Sequence, residues 1–363
     1  MSWVGLADAQ GAEFDLTGLH GRPRKRAPIA QTSREDALAT RGTILLEADV
    51  AQFTVPRPLI GYGLGASFML KVDFGTEDKL DFMLSIGDGC WQHRLPLRIT
   101  NDLQVVRISY AWDAASRAGV LSVFQPRSRH LAQCLVPAPR PLPWAVLRTL
   151  MHEAPEMCRE NDVGFVALSR GFEPAGPMPG IHGSIELATP QGMRPIRDIG
   201  MGARVLSPEG RTLRVMRAVK RLLPARGSFA PHTLRAPYLG LERDLTLSGE
   251  TFVKLEGSDV EYLLGVEAVL AQVNQIGEHR APRIHPRAST ATYHQLILDE
   301  VDTVDATIGV SSLDLSPVPR EGLAAATTLW ADVSPRAPVR PASEPLPVAR
   351  GYEIVSLNAT RAA

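Results

Sequence analysis

The feature that most constrains this chain is a long series of short apolar runs separated by turn residues. The runs in residues 41–170 have strand length, and Phe68, Leu70, Val72 and Phe74 recur at every second position. Turn sequences such as IGDG and DAASRAG join the runs, with Gly to accept positive φ and Asp to cap the turn. Because no amphipathic helix lies between the runs, the pattern predicts a mainly β chain that begins with an antiparallel sandwich.

The remaining segments divide by composition. One helix is predicted at the end of the sandwich, over WAVLRTLMHE (144–153). Residues 171–180, GFEPAGPMPG, are predicted to be a linker because their prolines and glycines disfavour both strand pairing and helix. A second β-rich domain follows at 181–315, with one short helix predicted over VEAVLAQVN (266–274). Residues 316–363 are a Pro/Ala-rich tail, in which YEIVSLNA could return as a terminal edge strand.

The first 40 residues are predicted to be a flexible arm. This arm, residues 1–40, carries a basic run with Arg22, Arg24, Lys25 and Arg26 but no interleaved aromatic residues, which favours a solvated segment. The chain has 39 Lys+Arg against 39 Asp+Glu, so it has no overall attraction to phosphates or acidic membranes. Nucleic acid is therefore not an expected partner, and a contact through the basic run stays a rival hypothesis.

The sequence indicates neither a metal site nor a cofactor. Cys90, Cys134 and Cys158 have no CxxC spacing, so we expect buried reduced thiols rather than a disulfide framework or a zinc site. The glycines of IGYGLGASF are not followed by a helix, and HEAPE lacks the second His of a zinc motif. The isolated His285 and His294 are predicted to be structural or surface groups.

Location and assembly leave little signal in the sequence. The start of the chain lacks a basic segment followed by an apolar stretch, and no run of about 18 apolar residues occurs anywhere. We therefore predict no membrane span, no standard export signal and, by default, a cytoplasmic location. The sequence gives no indication of the oligomeric state.

Three blocks of the second domain occur in a familiar order. They are ATPQGMRPIRDIGMGARVLSPEG (188–210), the stretch from RAPYLGLERDLTLSGETF to VLAQVN (235–274), and YHQLILDEVDTVDATIGVSSLDL (293–315). In this order they resemble the opening, central and closing blocks of the hedgehog/intein (Hint) superfamily, in its alphaproteobacterial form. The resemblance implies an all-β horseshoe fold for residues 181–315. Upstream, LQVVRISYAWDAASRAGVLSV resembles a LamG-like, concanavalin-type sandwich.

Active Hint domains carry out an acyl shift, and the resemblance assigns positions to it. A Cys or Ser at the first position attacks the preceding carbonyl, and a nearby His moves the protons. In this chain the first position falls at or next to Gly180, and the nearest hydroxyl is Ser184. Ser248 occupies the Ser/Thr position of the central block, and Thr251 stands where the catalytic His would be. His182 and Ser184 are candidates for a nonstandard base and nucleophile, although on an extended strand they would lie about 6–7 Å apart.

Other positions of the resemblance are altered as well. Val301 stands where the closing block commonly has a His, and the usual Gly-Asp pair of the opening block reads Gly202-Ala203. Asn358 follows Leu357 rather than the His used by splicing inteins. The positions that the chemistry needs are thus changed, whereas the apolar and turn positions that the fold needs are kept.

These departures favour a Hint domain that has lost autoprocessing and works as a binding or assembly module. The sandwich would then be the recognition unit, with a protein or carbohydrate partner, because its loops can vary without disturbing the core. The alternative is a self-cleaving domain that acts by an N-to-O acyl shift near Gly180, with Ser184 as the nucleophile. Whether the chain is an enzyme stays open at this point, and the altered positions weigh against it.

Overall fold

The described residues of the computed structural model form two compact units, one up to Gly176 and one from Pro177 onward. We call them the N-terminal and the C-terminal unit and describe each by itself. The structure describes residues 2–19, 37–50, 56–75, 78–98, 104–152, 157–160, 162–276, 288–312 and 345–362.

The described residues of the N-terminal unit form antiparallel strands and one short helix. Its elements are β1 (Trp3–Asp8), β2 (Gly11–Phe14), β3 (Leu38–Ala39), β4 (Arg41–Val50), β5 (Arg57–Leu64), β6 (Phe68–Gly75), β7 (Lys79–Ile86), β8 (Gly89–Pro96), β9 (Gln104–Asp113), β10 (Ala118–Gln125), β11 (His130–Pro137), β12 (Leu142–Pro143), α1 (Trp144–Thr149), β13 (Met157–Arg159) and β14 (Val163–Ser169).

Two large sheets of the N-terminal unit enclose one apolar core. One sheet has the order β11-β10-β9-β4-β14-β1-β2, the other has the order β13-β5-β6-β7-β8, and β12 pairs with β3. On β6 the side chains of Phe68, Leu70, Val72 and Phe74 are buried in this core, while Lys71 between them is exposed. The strand period seen in the sequence therefore separates core from solvent, and the predicted antiparallel β-sandwich is confirmed.

The prediction of a flexible arm over residues 1–40 is wrong for the part that the structure describes. β1 pairs with β14 and β2 pairs with β1, so the large sheet extends to the start of the chain. The side chains of Trp3 and Val4 are buried. Six consecutive residues with little polarity are enough for a strand, but a composition averaged over 40 residues hides them. The basic run at 21–28 lies outside the described residues.

The segment predicted as a linker is held in place by hydrogen bonds. The Thr43 hydroxyl donates to the Gly171 carbonyl at 2.8 Å, and the Glu173 N–H donates to that hydroxyl at 2.9 Å. The Arg107 guanidinium donates to the Gly176 carbonyl at 3.1 Å. Thr43 and Arg107 lie on the face of the large sheet that points away from the sandwich core, so residues 171–176 cover part of that face.

The C-terminal unit is also mainly β. Its elements are β15 (Ile181–His182), β16 (Glu186–Thr189), β17 (Gly192–Pro195), β18 (Arg204–Leu206), β19 (Thr212–Pro224), β20 (Pro231–Leu234), β21 (Leu245–Ser248), β22 (Phe252–Glu256), α2 (Ser258–Leu264), β23 (Ala268–Gln272), α3 (Val273–Ile276), β24 (Thr290–Leu298), β25 (Thr303–Asp305), β26 (Gly309–Ser311) and α4 (Gly351–Ala362), with 3-10 turns at Ile196–Asp198, Gly227–Phe229 and Tyr238–Gly240.

The strands that the structure describes in the C-terminal unit form three sheets. The largest has the order β18-β19-β24-β15-β21-β20, the second the order β23-β22-β26-β25, and β16 pairs with β17. The short strand β15 lies between β24 and β21. The residues just before β15 are therefore flanked by residues of both neighbouring strands, which sets up the site described below.

Two predicted elements of the C-terminal unit are wrong. The helix expected over 266–274 is strand β23 followed by the single turn α3, and β23 pairs with β22. The helix lies earlier, at α2, because Gly265 adopts a left-handed conformation with φ of 71° and ends it. The terminal edge strand is instead helix α4, whose Ile354 and Leu357 are fully buried. Their spacing of three residues puts both on one helix face.

Candidate functional site

The chain segment before β15 is held by a set of hydrogen bonds from buried residues. The Gly180 N–H donates to the Thr251 hydroxyl at 2.8 Å, and the Ser248 N–H donates to the Gly180 carbonyl at 2.8 Å. The Met178 N–H donates to the Glu250 carboxylate at 3.1 Å. Ser248 ends β21 and the other two lie in the turn to β22, so one short loop supplies three of the contacts.

A further contact comes from the other flanking strand. The Gln295 side chain, on β24, donates through Nε2 to the Pro179 carbonyl. This carbonyl immediately precedes Gly180, and in the family resemblance it is the group that the first residue would attack. The site therefore fixes both the carbonyl and the residue that follows it.

The two hydroxyls of the loop also contact each other. Ser248 Oγ lies 3.0 Å from Thr251 Oγ1, and Thr251 Oγ1 lies 3.1 Å from the Gly180 carbonyl. Both side chains are fully buried. The resemblance assigns Ser248 and Thr251 to the Ser/Thr and catalytic-His positions of the central block, and the structure brings both next to Gly180. A hydroxyl can hold this peptide group by hydrogen bonds, but unlike an imidazole it cannot act as a base near neutral pH.

The space beside Gly180 is filled by an aromatic ring. A Cβ atom at this position would lie 2.5 Å from both Cβ and Cγ of Tyr293, which is too close for any side chain. Tyr293 is itself fixed, because its hydroxyl donates to the Phe229 carbonyl at 2.7 Å. Burial raises the pKa of the Tyr293 phenol, so it stays neutral. The position to which the resemblance assigns the nucleophile thus has no room for a side chain.

His182 and Ser184 form a second, separate contact. His182 Nδ1 lies 2.8 Å from Ser184 Oγ, although an extended strand would keep the two apart. The reason is that β15 ends at His182, and a turn follows in which the Ile185 N–H donates to the His182 carbonyl at 3.0 Å. Both side chains are exposed, whereas the residues around Gly180 are buried.

Sequence reasoning missed three residues of the site. Glu250 had a signal, since it is a charged residue between the two hydroxyl positions of an apolar block. Tyr293 and Gln295 had none, because their contacts with Gly180 and Pro179 arise from the placement of β15 beside β24.

Other predictions concern thiols, metals and membranes. Cys90 is exposed, so the expectation of buried thiols is wrong there, whereas half-burial raises the pKa of Cys134 to about 11. The side chain of Cys158 lies outside the described part. Within the described ranges, no three His, Cys, Asp or Glu residues cluster as a metal site. The same ranges contain no helix with the length and apolarity of a membrane span.

The solved structures to which this chain is similar include several distant likenesses. The CBM40 of the Ruminococcus gnavus IT-sialidase, bound to alpha2,6 sialyllactose, is 8% identical over 36% of this chain and 76% of that chain, with a TM-score of 0.26. Toad ovary galectin, in complex with thio-digalactose, is 11% identical over 36% of this chain and 82% of that chain, with a TM-score of 0.20. Domains LG4-5 of the mouse laminin alpha1 chain are 11% identical over 79% of this chain and 74% of that chain, with a TM-score of 0.23. Scores this low carry no argument about ligands.

Comparison by sequence is more informative for the C-terminal unit. Among curated proteins none matches the chain. The family model of the Hint domain matches residues 182–310, which begin two residues after Gly180 and include Ser248, Thr251 and Tyr293. The C-terminal unit of this chain therefore contains a Hint domain.

Proposed function

We propose that this Hint domain no longer cleaves its own chain and that the protein acts as a binding or assembly module. The observation that carries the proposal is the contact between Gly180 and Tyr293. A nucleophile needs a side chain on the residue after the attacked carbonyl, and a Cβ there would lie 2.5 Å from the Tyr293 ring.

The surrounding hydrogen bonds support the same reading. Thr251 occupies the position of the general base and bonds to Gly180 without being able to take up its proton. Gln295, Glu250 and Ser248 hold the peptide around Pro179 and Gly180 in one conformation. Such a site keeps its peptide in place and leaves the bond unbroken, so its remaining role is to fix the start of the C-terminal unit.

Recognition is assigned to the N-terminal unit, as a LamG-like sandwich. The solvent-facing side of its smaller sheet presents charged and amide side chains. Arg94 pairs with Asp81 at 2.5 Å, Lys71 pairs with Asp73 at 2.5 Å, and the exposed Gln92 follows on β8. These groups supply donors and acceptors for the hydroxyls of a carbohydrate or the polar surface of a protein.

The recognition surface is tested by binding of the full chain to a glycan array. Arg94→Ala removes one exposed guanidinium from this face, and we expect it to weaken binding about tenfold, as for loss of a charged hydrogen bond. Arg127→Ala, an exposed arginine of the turn between β10 and β11, serves as the matched control and should bind as the unchanged protein does. Equal losses in both variants would show that this face is not the recognition surface, and an array without any bound glycan would leave only a protein partner.

The rival function is self-cleavage through the His182–Ser184 pair. The specific observation in its favour is the 2.8 Å contact between His182 Nδ1 and Ser184 Oγ, a nucleophile and base within hydrogen-bonding reach. The Ser184 N–H also donates to His182 Nδ1 at 3.4 Å, but among the hydrogen bonds of the described residues no third residue is bonded to the imidazole, and the pair is exposed to water.

The intact mass of the purified full chain separates the two functions. We expect one species near 39.4 kDa after several days, with or without added thiol or hydroxylamine. Hydroxylamine would cleave any ester formed at Ser184, so the ester would be detected as two fragments. Fragments that appear in the unchanged protein and disappear in Ser184→Ala would establish the rival. Fragments that persist in Ser184→Ala would refute both the serine mechanism and our proposal.

A further inference from the structure

A second feature of the C-terminal unit lies at the turn after β15. A Cβ atom at Gly183 would lie 2.9 Å from Nε2 of His294 and 3.5 Å from Cβ of Arg197. The backbone of the turn therefore lies close to Nε2 and Cδ2 of the His294 ring, beside Arg197. On the other side, β19 pairs with β24 so that Lys220 is the cross-strand partner of His294.

The residues on either side of Gly183 complete the cluster. His182 Nδ1 is engaged with the Ser184 hydroxyl at 2.8 Å, which leaves Nε2, on the opposite side of the ring, for another partner. Two histidines, an arginine, a lysine and a serine thus lie on or next to one glycine turn, and the Arg197 guanidinium also faces Asp198 at 3.9 Å. All five groups can donate hydrogen bonds when the imidazoles are protonated.

The charged groups of the cluster are mostly positive. Burial is the largest cause that lowers the pKa of His294, and the charges of Lys220, His182 and Arg197 lower it further. Among the charged groups of the described residues that act on His294, Asp198 alone raises its pKa. A cation would be repelled by this arrangement, whereas an anion would relieve the repulsion between the positive groups.

We propose that His182, Ser184, Arg197, Lys220 and His294 form a binding site for a small dianionic oxyanion, such as sulfate or the phosphate group of a small phosphate ester. Arg197 and Lys220 supply permanent charge, the histidines and Ser184 supply hydrogen-bond donors, and protonation of His294 adds charge as pH falls. Gly183 is required because a Cβ atom there would lie 2.9 Å from Nε2 of His294. Two of its groups, His182 and Ser184, are also those of the rival cleavage mechanism, so the site belongs to the uncleaved chain.

Sulfate is the first probe, because it keeps its charge across the pH range in which histidines titrate. We expect saturable binding to the full chain by calorimetry, tighter at pH 5.5 than at pH 8. The double variant Arg197→Gln/Lys220→Gln should lose about tenfold or more in affinity, since it removes both permanent charges. Arg204→Gln, an exposed arginine on β18, is the matched control and should lose less than about twofold.

A spectroscopic readout keeps the test independent of folding defects in the variants. In the unchanged protein, sulfate should raise the NMR titration midpoint of His294, and the signal is assigned by its absence in His294→Gln. Inorganic phosphate and phenyl phosphate, compared at one pH, distinguish a free anion from a phosphate ester. No saturable binding, an unmoved His294 midpoint, or an equal loss in Arg204→Gln would each overturn the proposal.

Discussion

Replacing Gly180 with Ala is expected to lower the free energy of unfolding of the C-terminal unit by about 3 kcal/mol, the upper part of the range for overpacking a core. The added Cβ would meet Cβ and Cγ of Tyr293 at 2.5 Å. Tyr293 cannot move aside without breaking the bond from its hydroxyl to the Phe229 carbonyl. The segment at Gly180 is equally fixed, because Thr251 and Ser248 hold both of its backbone polar groups.

Gly200→Ala is the matched control for this substitution. Gly200 belongs to the same unit, and a Cβ there would have no heavy atom within 4 Å. We expect stability to stay the same or to rise slightly, as Ala reduces the freedom of the unfolded chain. Chemical denaturation of both variants measures the difference. If Gly180→Ala is as stable as Gly200→Ala, the space beside Gly180 is open and a nucleophile could fit there.

The second large effect is expected in the terminal helix. Leu357→Ala should lower the free energy of unfolding by about 3 kcal/mol, as is typical when a buried leucine is truncated. Leu357 is fully buried in the core of the C-terminal unit together with Ile354. Polar contacts hold the same helix face, since Tyr238 donates to Asn358 at 2.6 Å and Arg361 pairs with Asp259 at 2.5 Å.

Val355 on the same helix provides the control, because its side chain is 60% exposed. Val355→Ala should change stability by less than about 0.5 kcal/mol. Denaturant titrations that follow the C-terminal unit compare the two variants. Similar small effects in both would mean that α4 does not belong to the core of this unit, and that the Pro/Ala-rich tail extends to the end of the chain.

The sandwich could be predicted because its strands show a period in the sequence. On β6 every second residue enters the core, and the pattern is visible without any knowledge of the partner strands. β1 lacks such a pattern because five of its six residues are buried. A strand buried on both faces has no alternation to detect, so it was assigned to the arm.

Helix α4 was missed for a different reason. Its buried residues, Ile354 and Leu357, have helical spacing, but they follow a long Pro/Ala-rich stretch that suggested an unstructured tail. What stabilises the helix is its packing against distant parts of the unit, such as Asp259 on α2. Tertiary packing of this kind leaves no mark in the local sequence.

The residues of the candidate site that share one sequence block could be predicted, whereas those on a neighbouring strand could not. Ser248 and Thr251 could be found because they belong to one block with a fixed spacing. Tyr293 and Gln295 act from a neighbouring strand, and only the placement of β15 beside β24 shows that they meet Gly180 and Pro179. The missing nucleophile could be read from the sequence, whereas the ring that takes its space could not.

The most direct test of the central claim is the state of the peptide that spans the junction. Trypsin cuts after Arg170 and Arg197 but not before Pro195, so residues 171–197 form one peptide that contains Gly180 and Ser184. Mass spectrometry of the freshly expressed full chain, treated with hydroxylamine before digestion, measures how much of this peptide is whole. The account predicts the whole peptide alone, and peptides that begin or end between residues 179 and 184 would contradict it.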